Sequence, residues 1–181
     1  MAKQEAITGP REPMSDPAIV VKNLTVTFGS RSVLNNVSFE VPRGTTLCIL
    51  GLSGVGKSTT LRCMVGLQKP TSGEILINGK NIATMKPKEL DQLRKRVGMA
   101  FQKAALFDSM TVGDNVAFGL REHTRLPEED IQRIVAEKLS LVQLGAADAG
   151  KYPSELSGGM RKRVAIARAL VVDPQLVLFD E

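Results

Sequence analysis

The hydrophobic pattern of the N-terminal half predicts strands joined by tight turns. Apolar residues cluster or alternate over residues 19–28 and 33–41, and these runs end at Gly29 and at the turn formed by residues 42–44. Residues 74–80 predict another strand, which ends in a tight Asn-Gly turn. Short strands connected in this way favour a small antiparallel sheet.

The pattern of the second half predicts helices and two short strands. Over residues 127–144, apolar side chains recur at helical spacing with charges between them. In all, four helices are predicted, over residues 87–96, 112–121, 127–144 and 157–171. Apolar runs over residues 97–101 and 176–179 predict strands, and the second run is continuously apolar, as in strands covered on both faces. The whole pattern predicts an antiparallel β region packed against a parallel α/β core.

A glycine-rich stretch lies between an apolar run over residues 46–50, which predicts a strand, and a helical run over residues 61–67. The stretch reads Gly51-Leu52-Ser53-Gly54-Val55-Gly56-Lys57-Ser58-Thr59 and fits the pattern G-x-x-x-x-G-K-[ST]. Its glycines let backbone N–H groups point inward, and the helix N-terminus adds partial positive charge, so an anion site is predicted. Lys57 would contact the β- and γ-phosphates of a nucleoside triphosphate, and the Ser58 hydroxyl would hold Mg²⁺. The flanking strand and helix argue against the alternative, a turn without a ligand.

The composition indicates the class of protein but no further functional site. The 181 residues are 43% hydrophobic and 24% charged, which is typical of one ordinary soluble domain. No apolar run approaches the ~20 residues that span a bilayer. The net charge of +5 is spread along the chain, so we infer no nucleic-acid partner. Residues 1–18 predict a flexible tail, and Cys48 and Cys63, whose spacing matches no metal motif, predict buried free thiols.

Side chains at the ends of two predicted strands are further candidates. The last strand ends in Asp180, which could hold Mg²⁺ directly or through water, and Glu181, which could act as general base on the attacking water. Gln102 follows the strand over residues 97–101 and could reach both the metal and the water. A charged pair or a glutamine that merely ends a strand is the alternative, and only the loop over residues 51–59 favours a functional role.

Residues 156–161, Leu-Ser-Gly-Gly-Met-Arg, together with residues 163–170, resemble the signature motif of the ATP-binding-cassette (ABC) family. Gln102 then matches the family's Q-loop, and residues 178–181 match its Walker B strand with the catalytic glutamate. The resemblance extends from residue 19 to residue 181. It implies an α/β fold with a P-loop, RecA-like core, an N-terminal antiparallel β subdomain and an inserted α-helical subdomain over roughly residues 103–160.

The same resemblance implies roles for individual residues. Lys57, Gln102 and Glu181 would act in ATP hydrolysis, and Ser58, Gln102 and Asp180 would hold Mg²⁺. Residues 51–59 would bind the phosphates, while Phe28 would stack on adenine and Val33 would meet the ribose. Ser157, Gly158 and Gly159 would contact the γ-phosphate of ATP held by a second copy of the chain, in a head-to-tail dimer with ATP between the subunits.

The segment after the Q-loop indicates a branch of the family. Residues 101–107, 110–112, 115–117 and 120–124, with Met160 after Ser-Gly-Gly, are similar to the ATPases of Mla/MCE-type transporters, which move phospholipids or related lipids. This similarity implies a membrane permease and an MCE-type lipid-binding protein as partners, and a peripheral location on the cytoplasmic face of a membrane, such as a bacterial inner membrane. Leu106, Phe107 and Met110 could form a cleft for a permease helix, or could simply pack the helical subdomain.

Two alternatives remain open for the function: an ABC ATPase for another solute, such as an amino acid or a metal ion, and an ABC ATPase that acts outside transport. Because the sequence ends directly after the Walker B strand, we expect residues 19–181 to be a nucleotide-binding domain truncated at its C-terminus. We also expect these 181 residues alone to bind ATP weakly and to hydrolyse it poorly.

Overall fold

The computed structural model describes residues 17–180, which form two compact units, the first ending at Met85 and the second beginning at Lys86. Glu181 and nearly all of the predicted flexible tail lie outside the described residues. Each unit contains its own sheet.

The first unit is built on a four-stranded antiparallel sheet with the strand order β2-β1-β3-β4. Its elements in chain order are β1 (Ile19–Phe28), β2 (Arg31–Val41), α1 (Lys57–Met64), β3 (Ser72–Ile77), β4 (Lys80–Asn81) and a 3₁₀ turn (Ile82–Thr84). Strands β3 and β4 are joined by Asn78 and Gly79, whose positive φ angles of 50° and 76° are those of a type I′ hairpin turn. The predicted antiparallel sheet and its Asn-Gly turn are therefore confirmed.

The alternation of buried and exposed side chains along β1 changes phase at Asn23. Ile19 and Val21 are buried before this residue, and Leu24 and Val26 are buried after it. Asn23 has a φ of 49° and lies at an irregularity in the pairing with β2, as in a β-bulge. Because an unbulged strand would turn Leu24 to the opposite face, the bulge keeps all four apolar side chains in the core.

The prediction of a strand over residues 46–50 is wrong. These residues belong to neither sheet of the described chain, and Leu50 is 87% exposed. An apolar run has the composition of a strand, but a strand forms only where a neighbouring strand completes its hydrogen bonds. For the same reason Cys48 is exposed, contrary to the prediction, whereas Cys63 is buried as predicted.

The helix predicted over residues 61–67 is present, but it begins earlier, at Lys57, and ends at Met64. It ends there because Gly66 takes a left-handed φ of 66° and its N–H donates to the Cys63 carbonyl, which closes the last turn.

The second unit combines a two-stranded parallel sheet with helices. Its elements are α2 (Pro87–Arg94), β5 (Val97–Ala100), α3 (Val112–His123), α4 (Glu128–Leu141), α5 (Ala146–Ala149), a 3₁₀ turn (Pro153–Glu155), α6 (Gly158–Leu170) and β6 (Leu176–Phe179). The four helices and two strands predicted for this half are confirmed, with small differences at their ends, but β6 is not covered on both faces as predicted, since Phe179 is 54% exposed. Helix α4, for example, stops at Leu141 because Gln143 adopts a left-handed φ of 58°.

The core of the second unit lies among three helices, and its sheet packs closely against one of them. Buried apolar side chains from α3, α4 and α6 meet in this core: Val112, Val116, Leu120, Ile131, Val135, Leu139, Val164, Ala167 and Val171. A Cβ atom at Gly98 of β5 would lie 2.2 Å from the Ala169 carbonyl oxygen of α6. Because only glycine permits this approach, α6 is held directly against the strand that precedes Gln102.

Candidate nucleotide-binding site

The loop that precedes α1 has the backbone that a phosphate-binding loop requires. Gly54 and Gly56 have φ angles of 79° and 105°, which L-residues rarely adopt. Gly56 is the residue immediately before the helix, so Lys57, Ser58 and Thr59 fall in the first helical turn. The N–H groups of that turn have no partners within the helix and, with the helix dipole, favour a bound anion.

Gly56 is also fixed by its contact with β2. A Cβ atom at this position would lie 2.6 Å from Leu34 Cδ2 and 3.1 Å from the Val33 carbonyl oxygen. The loop therefore packs its backbone against the strand that carries Val33, the residue predicted to meet the ribose. Sequence spacing gives no indication of this contact, which places Val33 beside the phosphate loop.

The Lys57 side chain folds back over the loop. Its ammonium donates hydrogen bonds to the carbonyl oxygens of Gly51, at 2.8 Å, and Leu52, at 3.0 Å. Thr60, which is buried, ties the helix to the loop because both its N–H and its hydroxyl donate to the Gly56 carbonyl oxygen. The acceptors of Lys57 are neutral carbonyls, so a phosphate oxygen would be the stronger partner for this cation.

The other predicted nucleotide contacts of the first unit lie on its surface. Phe28, at the end of β1, is 49% exposed, as a platform for a planar base must be. The side chains of Leu52 and Val55 are 86% and 52% exposed, so these two loop residues would contribute through their backbone N–H groups. Ser53 is exposed as well. The roles of these residues in binding remain predictions.

In the second unit, the ends of β5 and β6 bring the polar candidates to one edge of the sheet. The strands are parallel, Ala100 pairs with Phe179, and the Asp180 N–H donates to the Ala100 carbonyl oxygen at 2.9 Å. Asp180 is 4% exposed, whereas Gln102, two residues beyond β5, is exposed. Carboxyl ends of parallel strands are where ligands bind in α/β proteins. Glu181 lies outside the described residues.

The predicted signature residues form an open helix N-terminus. Ser157 caps α6, since its hydroxyl oxygen accepts a hydrogen bond from the Met160 N–H at 3.2 Å. Gly158 and Gly159 are exposed, and a Cβ atom at Gly159 would meet no atom within 4 Å. The Arg161 guanidinium donates to the Leu156 carbonyl oxygen at 2.8 Å, which holds the residue that precedes the Ser157 cap. The contact of these residues with a γ-phosphate remains a prediction.

Two residues that the sequence analysis missed hold the loop between β5 and α3. Arg168 of α6 donates to the carbonyl oxygens of Ala104, at 2.8 Å, and Ala105, at 2.7 Å. Burial lowers the pKa of the Arg168 guanidinium, which nevertheless stays protonated in proteins. Both alanines have positive φ angles, 61° and 47°, a conformation that costs an L-residue about 1–2 kcal/mol.

Asn115 of α3 is the second of these residues, and its side chain is fully buried. Its Oδ1 accepts from the Phe107 N–H at 2.8 Å, and its Nδ2 donates to the carbonyl oxygens of Phe107, Met110 and Thr111. One side chain thus satisfies four backbone groups of residues 107–111. Neither Arg168 nor Asn115 belongs to a pattern that points to these partners, and only the folded chain shows them.

The chemistry of the candidate residues shows whether they suit a bound Mg²⁺ ion. The Ser58 hydroxyl and the Asp180 carboxylate supply the oxygen ligands that Mg²⁺ prefers, and this ion takes the rest of its ligands from phosphates and water. Among residues 17–180 no cluster of three His, Cys, Asp or Glu side chains could hold a metal on its own. The side chains therefore fit an ion that arrives with a nucleotide. Ser58 lies in the first unit and Asp180 in the second, so their joint use of one ion is a proposal.

A glycine-rich loop before a helix that begins with lysine, together with a buried aspartate that follows a parallel strand, defines a P-loop nucleotide-binding protein. The chain belongs to the ABC transporter family, whose sequence model matches residues 34–181. The resemblance stated from the motifs alone is thereby confirmed.

Curated relatives match nearly the whole chain. It is 50% identical over 171 residues to the probable ribonucleotide transport ATP-binding protein mkl of Mycobacterium leprae. This match covers 94% of this chain and 49% of that protein. It is 48% identical over 168 residues to the intermembrane phospholipid transport system ATP-binding protein MlaF of Haemophilus influenzae. This match covers 93% of this chain and 63% of that protein. The chain thus spans between about half and under two thirds of the length of these relatives.

Solved structures confirm the fold class. The dimeric, post-hydrolysis structure of the ATP-binding cassette MJ0796 bound to ADP and Pi matches 90% of this chain and 73% of that chain, with a TM-score of 0.84 and 34% identity. The structure of cbiO1 from Clostridium perfringens, part of the ABC transporter complex cbiONQ, matches 92% of this chain and 66% of that chain, with a TM-score of 0.79 and 34% identity. In the part of this chain that the structure describes, each helix is too short or too polar to cross a membrane.

Proposed function

We propose that this chain binds and hydrolyses ATP as part of a subunit that powers a membrane transporter. The observation that carries the proposal is the loop over residues 51–59, in which Lys57 opens α1 and its ammonium lies over the loop carbonyls. ATP would be bound through the loop N–H groups and Lys57, with Phe28 against the base and Val33 beside the ribose. Gln102 and Glu181 would orient and deprotonate the attacking water.

Mg²⁺ would be held by Ser58, Gln102 and Asp180, and it would neutralise charge on the phosphates. The position of Asp180 supports this assignment, because it directly follows the parallel strand β6 and ligands bind at the carboxyl ends of parallel strands in α/β proteins.

Two copies of the chain would share each ATP. The exposed cap formed by Ser157, Gly158 and Gly159 supports this proposal, since it offers N–H groups to an anion that comes from another molecule. Mixing Lys57→Ala and Ser157→Arg subunits of the full-length protein tests it, because half of the sites in a mixed dimer carry both defects and the others carry none. ATP turnover that returns on mixing supports the shared site. Activity that merely equals the average of the two separate variants contradicts it.

The transported substrate would be a phospholipid or a related lipid. This proposal is supported by MlaF, which is named as part of a phospholipid transport system, and by the similarity in residues 101–124. Ribonucleotide transport, the name that mkl carries, is the second candidate. Purification of the full-length protein with its membrane partners separates the two: an integral permease and an MCE-type lipid-binding protein with bound lipid support the first. A permease that takes up ribonucleotides supports the second.

The permease would hold the chain at the cytoplasmic face of the membrane, through residues 106–110. Phe107 is 43% exposed and stacks at a tilt against Phe118, with ring centroids 4.9 Å apart, whereas Leu106 packs against the helical core. Phe107 is therefore the apolar side chain that is free to meet a partner helix. Phe107→Ser should weaken co-purification with the permease, while Leu141→Ser, a change at another exposed apolar residue, should not. Equal retention of the permease by both variants would exclude this surface.

A further inference from the structure

The Arg168 guanidinium bridges α6 and the loop that carries Gln102. Its two terminal nitrogens donate to successive carbonyl oxygens, those of Ala104 and Ala105, at 2.8 and 2.7 Å. We propose that Arg168 is a positioning residue, which sets the backbone of residues 101–105 and thereby the orientation of the Gln102 side chain. The inference rests on the proposed role of Gln102 in ATP hydrolysis.

The loop needs such a residue because its backbone is unfavourable by itself. Ala104 and Ala105 follow one another in the left-handed region, where alanine has no side-chain hydrogen bond to compensate. The turn is tight as well, since the Ala104 N–H donates to Phe101 and the Ala105 N–H donates to Lys103. Conformations of this kind persist only where surrounding contacts enforce them, and they concentrate at functional sites.

Arginine suits this task better than lysine. The guanidinium is planar and presents its donors in a fixed fork, so it fixes the direction of two carbonyls at once. Lysine offers one flexible ammonium, which can satisfy a carbonyl without fixing the angle of the peptide plane. The bond to Ala104 is partly buried, whereas the bond to Ala105 is exposed, so water competes less for the first carbonyl oxygen than for the second.

Arg168 also connects the loop that carries Gln102 to the helix that begins at the signature residues. It lies on the same helix as Gly158, ten residues further on, which is about 15 Å along the axis of α6. Close packing of Gly98 against Ala169 holds this end of the helix against β5. A movement of α6 would therefore pull on the Ala104 and Ala105 carbonyls, so the two parts of the site would move together.

The same helix offers a matched control. The Arg163 guanidinium donates to the carbonyl oxygens of Gln143, at 3.0 Å, and Val142, at 3.4 Å, and Gln143 also has a positive φ angle. Arg163 thus also donates to two successive carbonyls, although from one nitrogen, and the loop that it contacts contains no proposed site residue. A general effect of removing an arginine from α6 would appear in both Arg168→Ala and Arg163→Ala. An effect on Gln102 would appear only in Arg168→Ala.

The test measures ATP turnover and amide hydrogen exchange in the full-length protein for Arg168→Ala, Arg168→Lys and Arg163→Ala. For both changes at Arg168 we expect kcat to fall by about tenfold to a hundredfold with little change in KM for ATP. Exchange should rise over residues 101–107 in these variants. In Arg163→Ala it should rise over residues 142–145 instead, and kcat should fall less than in either Arg168 variant. If Arg168→Ala does not fold, Arg168→Lys gives the result.

A rescue distinguishes positioning from a loss of stability. Glycine adopts positive φ without strain, so Ala104→Gly together with Ala105→Gly should restore part of the kcat lost in Arg168→Lys. Wild-type kcat in both Arg168 variants, or an equal fall in Arg163→Ala, would overturn the proposal. Turnover that is insensitive to Lys57→Ala would instead contradict the proposed function, and the exchange data would still report on the Arg168 contact.

Discussion

The Lys57 ammonium lies 2.8 Å from the Gly51 carbonyl oxygen, so the cation at the start of α1 contacts the first residue of its own loop. Both partners are part of one continuous stretch, and the contact curls the loop into a concave surface. A phosphate must compete with this carbonyl for the ammonium, and it does so with a full negative charge.

Replacing Lys57 tests this arrangement. For Lys57→Ala we expect the affinity for Mg·ATP to fall by at least about tenfold, since a hydrogen bond to a charged group contributes roughly 1.5–3 kcal/mol. The free energy of unfolding should change by less than about 0.5 kcal/mol, as for most surface substitutions. Titration calorimetry gives the affinity, and Lys69→Ala, a change at an exposed lysine, is the control. Equal affinities in the two variants would show that the loop does not bind the phosphates.

Gly56→Ala should be more destabilising than Gly54→Ala, although both residues have positive φ angles. At Gly54 an added Cβ meets no atom within 4 Å, so only backbone strain of about 1–2 kcal/mol is expected. At Gly56 the Cβ would also overlap Leu34 Cδ2 at 2.6 Å, which adds about 1–3 kcal/mol of overpacking. Urea unfolding of both variants measures the difference. Equal losses would show that β2 does not restrict the loop.

Asn115→Ala should destabilise the protein by about 2–4 kcal/mol, because the partly buried Phe107 N–H and Met110 carbonyl oxygen would lose their bond to this side chain. The carbonyl oxygens of Phe107 and Thr111 would each lose one bond but keep a backbone N–H donor. Asn81→Ala, which removes a cap from an exposed 3₁₀ turn, should cost about 1 kcal/mol or less. Chemical denaturation compares the two. A loss at Asn115 no greater than that at Asn81 would mean that the loop is held by other contacts.

Asp114 should make stability depend on pH in acid. The hydrogen bond from the Thr111 hydroxyl, and after it that from Arg121, lower the pKa of Asp114 below its ordinary value of 3.8. A carboxyl with a lowered folded-state pKa contributes stability above its unfolded pKa and loses it as the pH falls through the folded pKa. The contribution is small, because both side chains of the ion pair are more than one-third exposed.

The difference in unfolding free energy between the wild type and Asp114→Asn should therefore be largest near neutral pH and should shrink below about pH 4. Denaturation at a series of pH values measures it. A difference that grows on acidification would contradict the assigned direction of the pKa shift.

Local chemistry was predictable from the sequence, and long-range contacts were not. A helix was predicted over residues 157–171, and residues 51–59 were predicted to precede another, because these features depend on neighbours along the chain. The strand over residues 46–50 was predicted from composition and is absent from both sheets, because pairing depends on distant segments. Arg168 contacts alanines 63 and 64 positions away, and no spacing rule leads from one to the other.

If Ser58 and Asp180 hold the same Mg²⁺, as proposed, one nucleotide-bound metal ion contacts both the loop that precedes Lys57 and the Asp180 carboxylate. Fe²⁺ in place of Mg²⁺, with ATP, ascorbate and peroxide, cuts the backbone close to the bound ion, and mass spectrometry locates the cuts in the full-length protein. We predict ATP-dependent cuts within residues 51–60 and next to Asp180, both of which are lost in Lys57→Ala. Cuts at only one of the two places, or cuts that do not depend on ATP, would contradict the account.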